Sequence, residues 1–470
     1  MDHHRLCSLS EAGRLCPELT AVAPLLALLL APQLACAPPT GPRIPSTPSL
    51  LGHAGGTGAL VFDGDVPTNL LFISLDTTRR DYLGRFSGGD HTPHLDALLA
   101  QGVVLEAHRS CSNWTAPSMT CVISGKTPLA HGFWPRSFDP AIPDRPPRSY
   151  DTLPMYLGEL GFQSVLITAN DIFSMALGIP EGFDRIIDMD QQPADQVTTA
   201  ALEELATLGA QPGPWYLHLH YIDPHAAYCP PPEHVDPAAY LPFPYDVCTN
   251  VYGLVRAYGS WEPTLQRAFL DNVRELYRAE IAAWDVQLGR LLDEAGALGL
   301  LEHTLVVFVT DHGEQLMERG LIGHGLTLSQ EENRSTAAFW AKSLRPGVVG
   351  DPTVHQDLTE TLYTLWGITP ATPTEGQLVG TADSDRIVTA LNYWLDAPIQ
   401  LMAADRDRQL LYDTWGDRRL YRTDVDPAGL DDVYDPNDPD VIALWEVLAP
   451  LVEQAAAAWD HLPEPVAPGP

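Results

Sequence analysis

Lysine is almost missing from this chain: Lys126 and Lys342 are the only two among 470 residues. Lys and Arg together number 27 against 61 Asp and Glu, a formal net charge of -34 at pH 7. A chain so short of cations has no basic stripe with which to hold nucleic acid or an anionic membrane surface, so no nucleic-acid partner is expected. Small anionic substrates stay open, because local fields inside a cleft meet them. Cysteine is also sparse, at 7, and no pair has Cys-x-x-Cys spacing, which leaves a structural zinc site without support. No uninterrupted apolar run reaches the roughly 20 residues that a membrane-spanning helix needs. No internal repeat stands out, and the acidic stretch "DVDPAGLDDVYDPNDPD" (424–440) lacks the EF-hand spacing and reads as a solvated loop.

What is present begins with an export signature. Arg5 and Arg14 precede the proline-broken run "AVAPLLALLLAPQLACA". Residues 1–36 therefore read as an export segment, with Cys36 as the candidate lipid-anchored residue of a bacterial lipoprotein-type site and Gln33 in place of the usual leucine. The expected location is the periplasm or cell envelope. Residues 37–67, rich in Pro, Gly, Ser and Thr, read as a flexible linker. In an exported chain Cys111, Cys121, Cys229 and Cys248 can form two disulfides, and proximity favours 111–121 with 229–248. Four free thiols is the alternative.

Four short apolar runs, "NLLFISLD", "SVLIT", "WYLHLHY" and "TLVVFVTD", each lie near a stretch of helical periodicity. In "DNVRELYRAEIAAWDVQLGRLLDEAG", Val273, Leu276, Tyr277, Ile281, Trp284, Leu288 and Leu291 form one apolar face. Alternating strands and helices predict an α/β domain over 68–385, built on a large, mostly parallel sheet covered on both faces. From 386 to 470 the pattern predicts a small antiparallel subdomain: "QLLYDTWGDRRLYRTD" reads as two strands around a turn, ahead of a final helix.

Ligands of open α/β sheets bind at the carboxyl ends of the strands. Asp76 ends one such run, and Asp311 with His312 ends another, which makes a hard-cation site. Thr115 in "SNWTAPSMTCVISGK" completes it if the turn after Trp114 reaches the same edge, since a divalent metal would activate its hydroxyl. Each group also has a purely structural reading. Asp76 can begin a turn, Asp311–Glu314 can start a capped helix, and Thr115 can be a helix N-cap with Pro117 in the first turn. Asn113-Trp114-Thr115 matches a glycosylation sequon, set aside for its cleft position.

The runs "NLLFISLDTTRRDYLG", "TPHLDALLAQGV", "NWTAPSMTCVISG", "YIDPHAAY", "LYRAEIAAWDVQLGRLL" and "VVFVTDHGEQL" with "GHG" occur in this order over roughly residues 68–370. They resemble the sulfatase family of the alkaline phosphatase superfamily. The resemblance implies an α/β/α sandwich with a small C-terminal four-stranded antiparallel subdomain. It implies one divalent metal, Mn or Ca ahead of Zn, held by Asp76, Asp311, His312 and Thr115, with Thr115 at the nucleophile position. His225 would contact the ester or protonate the leaving group, and His324 would face the same oxygens. Lys126 matches a basic substrate-binding residue, and Asn170 is a further candidate for substrate contact.

The departures from the family pattern concern the same loop. Sulfatases carry Cys or Ser where this chain has Thr115, and oxidise it to formylglycine; no formylglycine is expected here. Met119 stands where an arginine follows, and the Lys-x-His pattern is missing around "LITANDIF". The family resemblance with a threonine implies a metal-dependent hydrolase or transferase of phosphoric or phosphonic (di)esters, acting on a small anionic substrate. A sulfuric ester hydrolase and a catalytically silent envelope binding protein are the alternatives.

Overall fold

Strict alternation of buried faces explains the central sheet. In the computed structural model, residues 54–132, 150–173, 179–381, 384–393 and 399–458 are described, all within one compact unit, Thr47–Pro470. The export segment, Cys36 and the first part of the linker, 37–53, lie outside the described residues. Among those described, no helix is long and apolar enough to cross a membrane.

Eight strands form the large sheet: β1 (Asn69–Leu75), β2 (Val103–Arg109), β3 (Gln163–Thr168), β4 (Arg185–Asp188), β5 (Trp215–Tyr221), β6 (Thr304–Thr310), β7 (Ala337–Trp340) and β8 (Gly347–Val354). Their order is β8-β2-β7-β6-β1-β5-β3-β4, and only β7 runs antiparallel to its neighbours. Along β1, Leu71, Ile73 and Leu75 face one core, while Leu70 and Phe72 face the other. The first face packs on helices α1 (Pro93–Gln101), α4 (Ala194–Gly209) and α6 (Pro263–Ala297). The second packs on α2 (Thr115–Ser124), α3 (Leu153–Glu159) and α7 (His355–Leu365). All seven apolar residues that define the face of α6 are buried. Each such side chain stabilises the fold by roughly 1.5–3 kcal/mol relative to exposure.

Residues 37–67 read as a linker, yet the chain is ordered well before 68. Ala54–Thr57 and Leu60–Asp65 pair as an antiparallel hairpin, with Leu60 and Phe62 buried in the second core. These apolar residues, thinly spread among glycines and prolines, suffice because Val61 and Asp63 bond to the backbone at Arg345 and Ser343.

Four antiparallel strands, β9 (Val388–Asn392), β10 (Gln400–Ala404), β11 (Arg408–Asp413) and β12 (Arg418–Arg422), form a second sheet in sequence order. The final helix, running Pro439–Ala458 and labelled α8 after α5 (Val247–Tyr258), covers one face of it. The opposite face packs Ala390, Met402, Ala404, Leu411 and Tyr421 around Leu328 of the main domain. Both disulfides favoured by proximity, Cys111–Cys121 and Cys229–Cys248, are formed.

Candidate active site

Register places the site. Leu75 of β1 lies opposite Tyr221 of β5 and Thr310 of β6, so Asp76 and Asp311 leave the sheet side by side. Both are fully buried. Thr77 follows at φ 47°, a costly left-handed conformation for a β-branched residue, on the order of 1–3 kcal/mol. That turn aims its amide at Asp311 Oδ1, 3.0 Å away. Asp311–Glu314 is not a helix start, as one structural reading had it. A Cβ on Gly313 would lie 1.9 Å from the Glu331 carbonyl oxygen, so the chain needs glycine there.

Thr115 opens α2, with Trp114 in the cap position, so the cap lies one residue earlier than the N-cap reading of Thr115 had it. The helix ends where Gly125 turns left-handed at φ 68°. Its N-terminus brings the Thr115 hydroxyl 3.4 Å from Asp76 Oδ2 and 3.4 Å from His312 Nε2. Asn170, just past β3, donates from Nδ2 to Asp76 Oδ2 and, at 3.3 Å, to Thr115 Oγ1. His312 Nδ1 donates to the Gly313 carbonyl at 2.9 Å, which turns the Nε2 lone pair toward Asp311 Oδ2 at 3.4 Å and Asp76 Oδ1 at 3.7 Å.

This donor set fits a divalent cation. One atom each from Asp76, Asp311 and His312 lie within 4.8 Å of one another. Asp76 Oδ1 and Asp311 Oδ2 are buried without a well-aligned donor, a costly state unless a cation is shared between them. Burial acts to raise the Asp76 pKa, but the hydrogen bond from His220 and the fields of His225, His220 and His312 hold it well below the carboxylate range. Burial, then the Asp76 charge, push Asp311 well upward, and burial with His324 pushes His312 well downward. Two carboxylates competing for one charge is the pattern a divalent ion relieves.

The His324 ring lies 4.6 Å from that of His312, tilted by 43°, and His225 lies 5.1 Å from His324. Burial disfavours the His324 cation, yet Glu314, 3.1 Å from Nδ1, prevails and raises its pKa. A cavity of about 680 Å³ opens beside His225.

Lys126 is not brought to this cluster, which corrects its assignment to substrate binding. It lies at the far end of α2 from Thr115, roughly 15 Å along the axis at 1.5 Å per residue. Its ammonium donates to the Pro373 carbonyl. Met119 sits in the second core, where an arginine would bury its charge among apolar neighbours. Asn113 is fully buried and donates to Thr327 O and Glu332 Oε2 at 2.9 and 2.8 Å, so its amide has no room for a glycan.

Two residues escaped the sequence reading. His220 presents Nε2 to Asp76 Oδ2 at 3.4 Å, while Ser74 Oγ holds its Nδ1 at 2.8 Å. Its signal was available: His218 and His220 alternate along a strand, so they share a face that ends beside Asp76. Glu314 stood in the Asp-His-Gly-Glu run itself, and only the fold shows that it meets His324.

Comparison with known proteins agrees with this geometry. Arylsulfatase A of Bos taurus is 24% identical over 337 residues, 64% of this chain and 64% of that relative, so the chain spans under two thirds of its length. Choline-sulfatase of Rhizobium meliloti is 29% identical over 171 residues, covering 33% of this chain and 32% of the relative. The crystal structure of a phosphonate monoester hydrolase of Agrobacterium radiobacter superposes with a TM-score of 0.64 at 18% identity, over 84% of this chain and 96% of that one. A family model described as Sulfatase matches residues 68–368. That span begins just ahead of β1 and closes just past α7, taking in every strand of the large sheet, and the chain therefore belongs to the sulfatase family.

Proposed function

We propose that this chain is a metal-dependent hydrolase or transferase of phosphoric or phosphonic esters, with Thr115 as its nucleophile. The observation that carries the reading is a threonine hydroxyl 3.4 Å from both Asp76 and His312, where a sulfatase needs an oxidisable residue. A secondary alcohol cannot become formylglycine, and a threonine–sulfate adduct lacks the elimination route that the hydrated aldehyde provides. A phosphothreonine can instead be resolved by in-line attack of water or an alcohol.

Asp76, Asp311, His312 and Thr115 would hold the metal, which when bound lowers the pKa of the hydroxyl and polarises an ester oxygen. Thr115 Oγ1 would give up its proton toward Asp76 Oδ2, to which the hydroxyl donates at 3.4 Å, and bond to phosphorus as the ester P–O bond breaks. His324, hydrogen-bonded to Glu314, would supply the proton that the leaving oxygen takes up, on the side where His225 borders a cavity. Asn170 fixes the hydroxyl against Asp76 throughout. The protein named phosphonate monoester hydrolase among the structural neighbours supports an active ester hydrolase on this fold.

A second reading, sulfuric ester hydrolysis, is favoured by the names of the sequence relatives, arylsulfatase A and choline-sulfatase. A silent binding protein of the envelope is the third, and the intact metal-ligand set opposes it. The N-terminal export signature and the two disulfides support a periplasmic or envelope location.

Purified full-length chain, supplied with Mn²⁺, Ca²⁺ or Zn²⁺, is to be assayed on aryl phosphodiester, aryl phosphonate and aryl sulfate substrates beside Thr115→Ala. The expected outcome is metal-dependent phosphoric or phosphonic ester turnover that falls at least about a thousand-fold in the variant. Turnover that survives the substitution would overturn Thr115 as nucleophile. Sulfate turnover alone would establish the second reading, and tight metal binding with no turnover the third.

A further inference from the structure

A second cavity, about 610 Å³, shares no lining residue with the metal-ligand cluster. It lies between the loop after β1, the segment ahead of β7 and the loop after β12, represented by Arg80, Arg334 and Pro427. Its charges are unevenly matched. Arg79 is already held by Asp81 and Glu318, both at 2.7 Å. Arg80 and Arg85 share one carboxylate, Glu106, at 2.9 and 3.8 Å. Arg334 reaches the cavity with no hydrogen bond or ion pair on its guanidinium among the described residues.

Arg80 is the informative residue. It is 7% exposed, its guanidinium lies 3.7 Å over the Phe86 ring, and Nη1 is buried with no partner. A buried guanidinium nitrogen without an acceptor, on a side chain that lines a cavity, is an unused donor that a small rotation of the side chain would bring to a ligand. Burial, and next the Arg334 charge, pull the pKa of Arg80 down to about 10 and that of neighbouring Arg109 down to about 9. Three guanidiniums thus repel one another in a chain whose net charge is -34. Asp81, Glu106, Glu318 and Glu331 also line the cavity, and the donors they leave over are Arg80 Nη1 and the Arg334 guanidinium.

We infer that this cavity is a second oxyanion site, which takes a sulfate or phosphate group between Arg80 and Arg334. Planar guanidiniums match tetrahedral oxyanions through paired N–H donors. Phe86, Pro427 and Ala428 add apolar wall, and the volume exceeds that of a bare ion, so the group can be the free ion or one borne on an organic molecule. The inference does not depend on whether Thr115 is a nucleophile.

Calorimetric titration of the Mn²⁺-loaded full chain with sodium sulfate, benzenesulfonate and acetate tests it, with Arg80→Gln and Arg334→Gln alongside. Wild type is expected to show one binding class that both variants lose or weaken at least tenfold, while any binding at the metal cluster stays as a common background. Benzenesulfonate tighter than sulfate would identify an organic-borne group, and the reverse order the free ion. Identical isotherms in all three proteins would overturn the site, and acetate binding as tightly as sulfate would overturn its tetrahedral specificity. Should a variant fail to fold, wild-type crystals grown with selenate decide: an anomalous peak bonded to Arg80 Nη1 is expected, and none there sinks the inference.

Discussion

Asn170 donates both to Asp76 and to Thr115, so one amide orients a metal-ligand carboxylate and the hydroxyl beside it. Asn170→Asp keeps the shape but replaces the donor with a third carboxylate. It is expected to lower turnover about 10–100-fold, the scale for groups that orient ligands, and a change in KM alone would argue for substrate contact only. His220 acts on the other side of the same carboxylate, between Ser74 and Asp76. His220→Phe is expected to weaken Mn²⁺ about 10–100-fold by calorimetry; unchanged affinity would make His220 a mere packing residue. At this scale the sequence was readable where chemistry and strand ends coincide, as at Asp76, Asp311 and His312. His220 was hidden because its role depends on which strand lies beside β1, and Lys126, assigned from the family pattern, stands at the far end of α2 from Thr115.

The loop ahead of Thr115 and α2 form a stapled element: Cys111 and Cys121 bracket Thr115, with a separation of 10 residues. Closing so short a loop is worth about 3 kcal/mol in the chain-entropy account. The Cys111→Ser, Cys121→Ser double variant is expected to lose about that much in urea unfolding and to place Thr115 less firmly, so turnover falls with stability. If stability drops and turnover per folded molecule does not, the staple serves the fold alone. In α6, Glu280 is 8% exposed, and burial, then the charge of Asp223, raise its pKa to about 8. The folded state therefore holds a proton that the unfolded chain releases near pH 4.5, and stability should fall as pH rises from about 5 to about 8. Glu280→Gln is expected to flatten that part of the melting-temperature profile; an unchanged slope would place the titration elsewhere. The apolar period of α6 was legible in sequence, whereas a buried acid on it was not, since a glutamate on a helix ordinarily meets water.

Across the whole molecule, the small C-terminal sheet does more than extend the chain. The run of strands and the closing helix could be read from their pattern, but not the second apolar face, which buries Leu328. Polar bonds fix the same contact. Gln409 Nε2 donates to Leu328 O at 2.7 Å and its Oε1 accepts from Gln330 at 2.6 Å. Gln400 accepts from the Leu328 amide at 2.9 Å, and Asn392 donates to Gly325 O at 2.9 Å. The segment so held, 324–333, carries His324 and the buried Glu332 that accepts from Asn113, two residues before Thr115. The second sheet thus braces one wall of the candidate site from outside. Gln409→Ala would leave the Leu328 carbonyl and the Gln330 amide buried without partners, costing about 1–3 kcal/mol for each. Both melting temperature and turnover are expected to fall, whereas Trp415→Ala, 78% exposed on the outer turn of the same sheet, should change neither. A stronger test removes the brace altogether. A chain ending at residue 385 exposes Leu328 and loses the four bonds made by Asn392, Gln400 and Gln409, so it should melt without cooperativity and bind Mn²⁺ weakly. Cooperative melting with undiminished Mn²⁺ affinity in that truncated chain would show that the large sheet holds its site unaided.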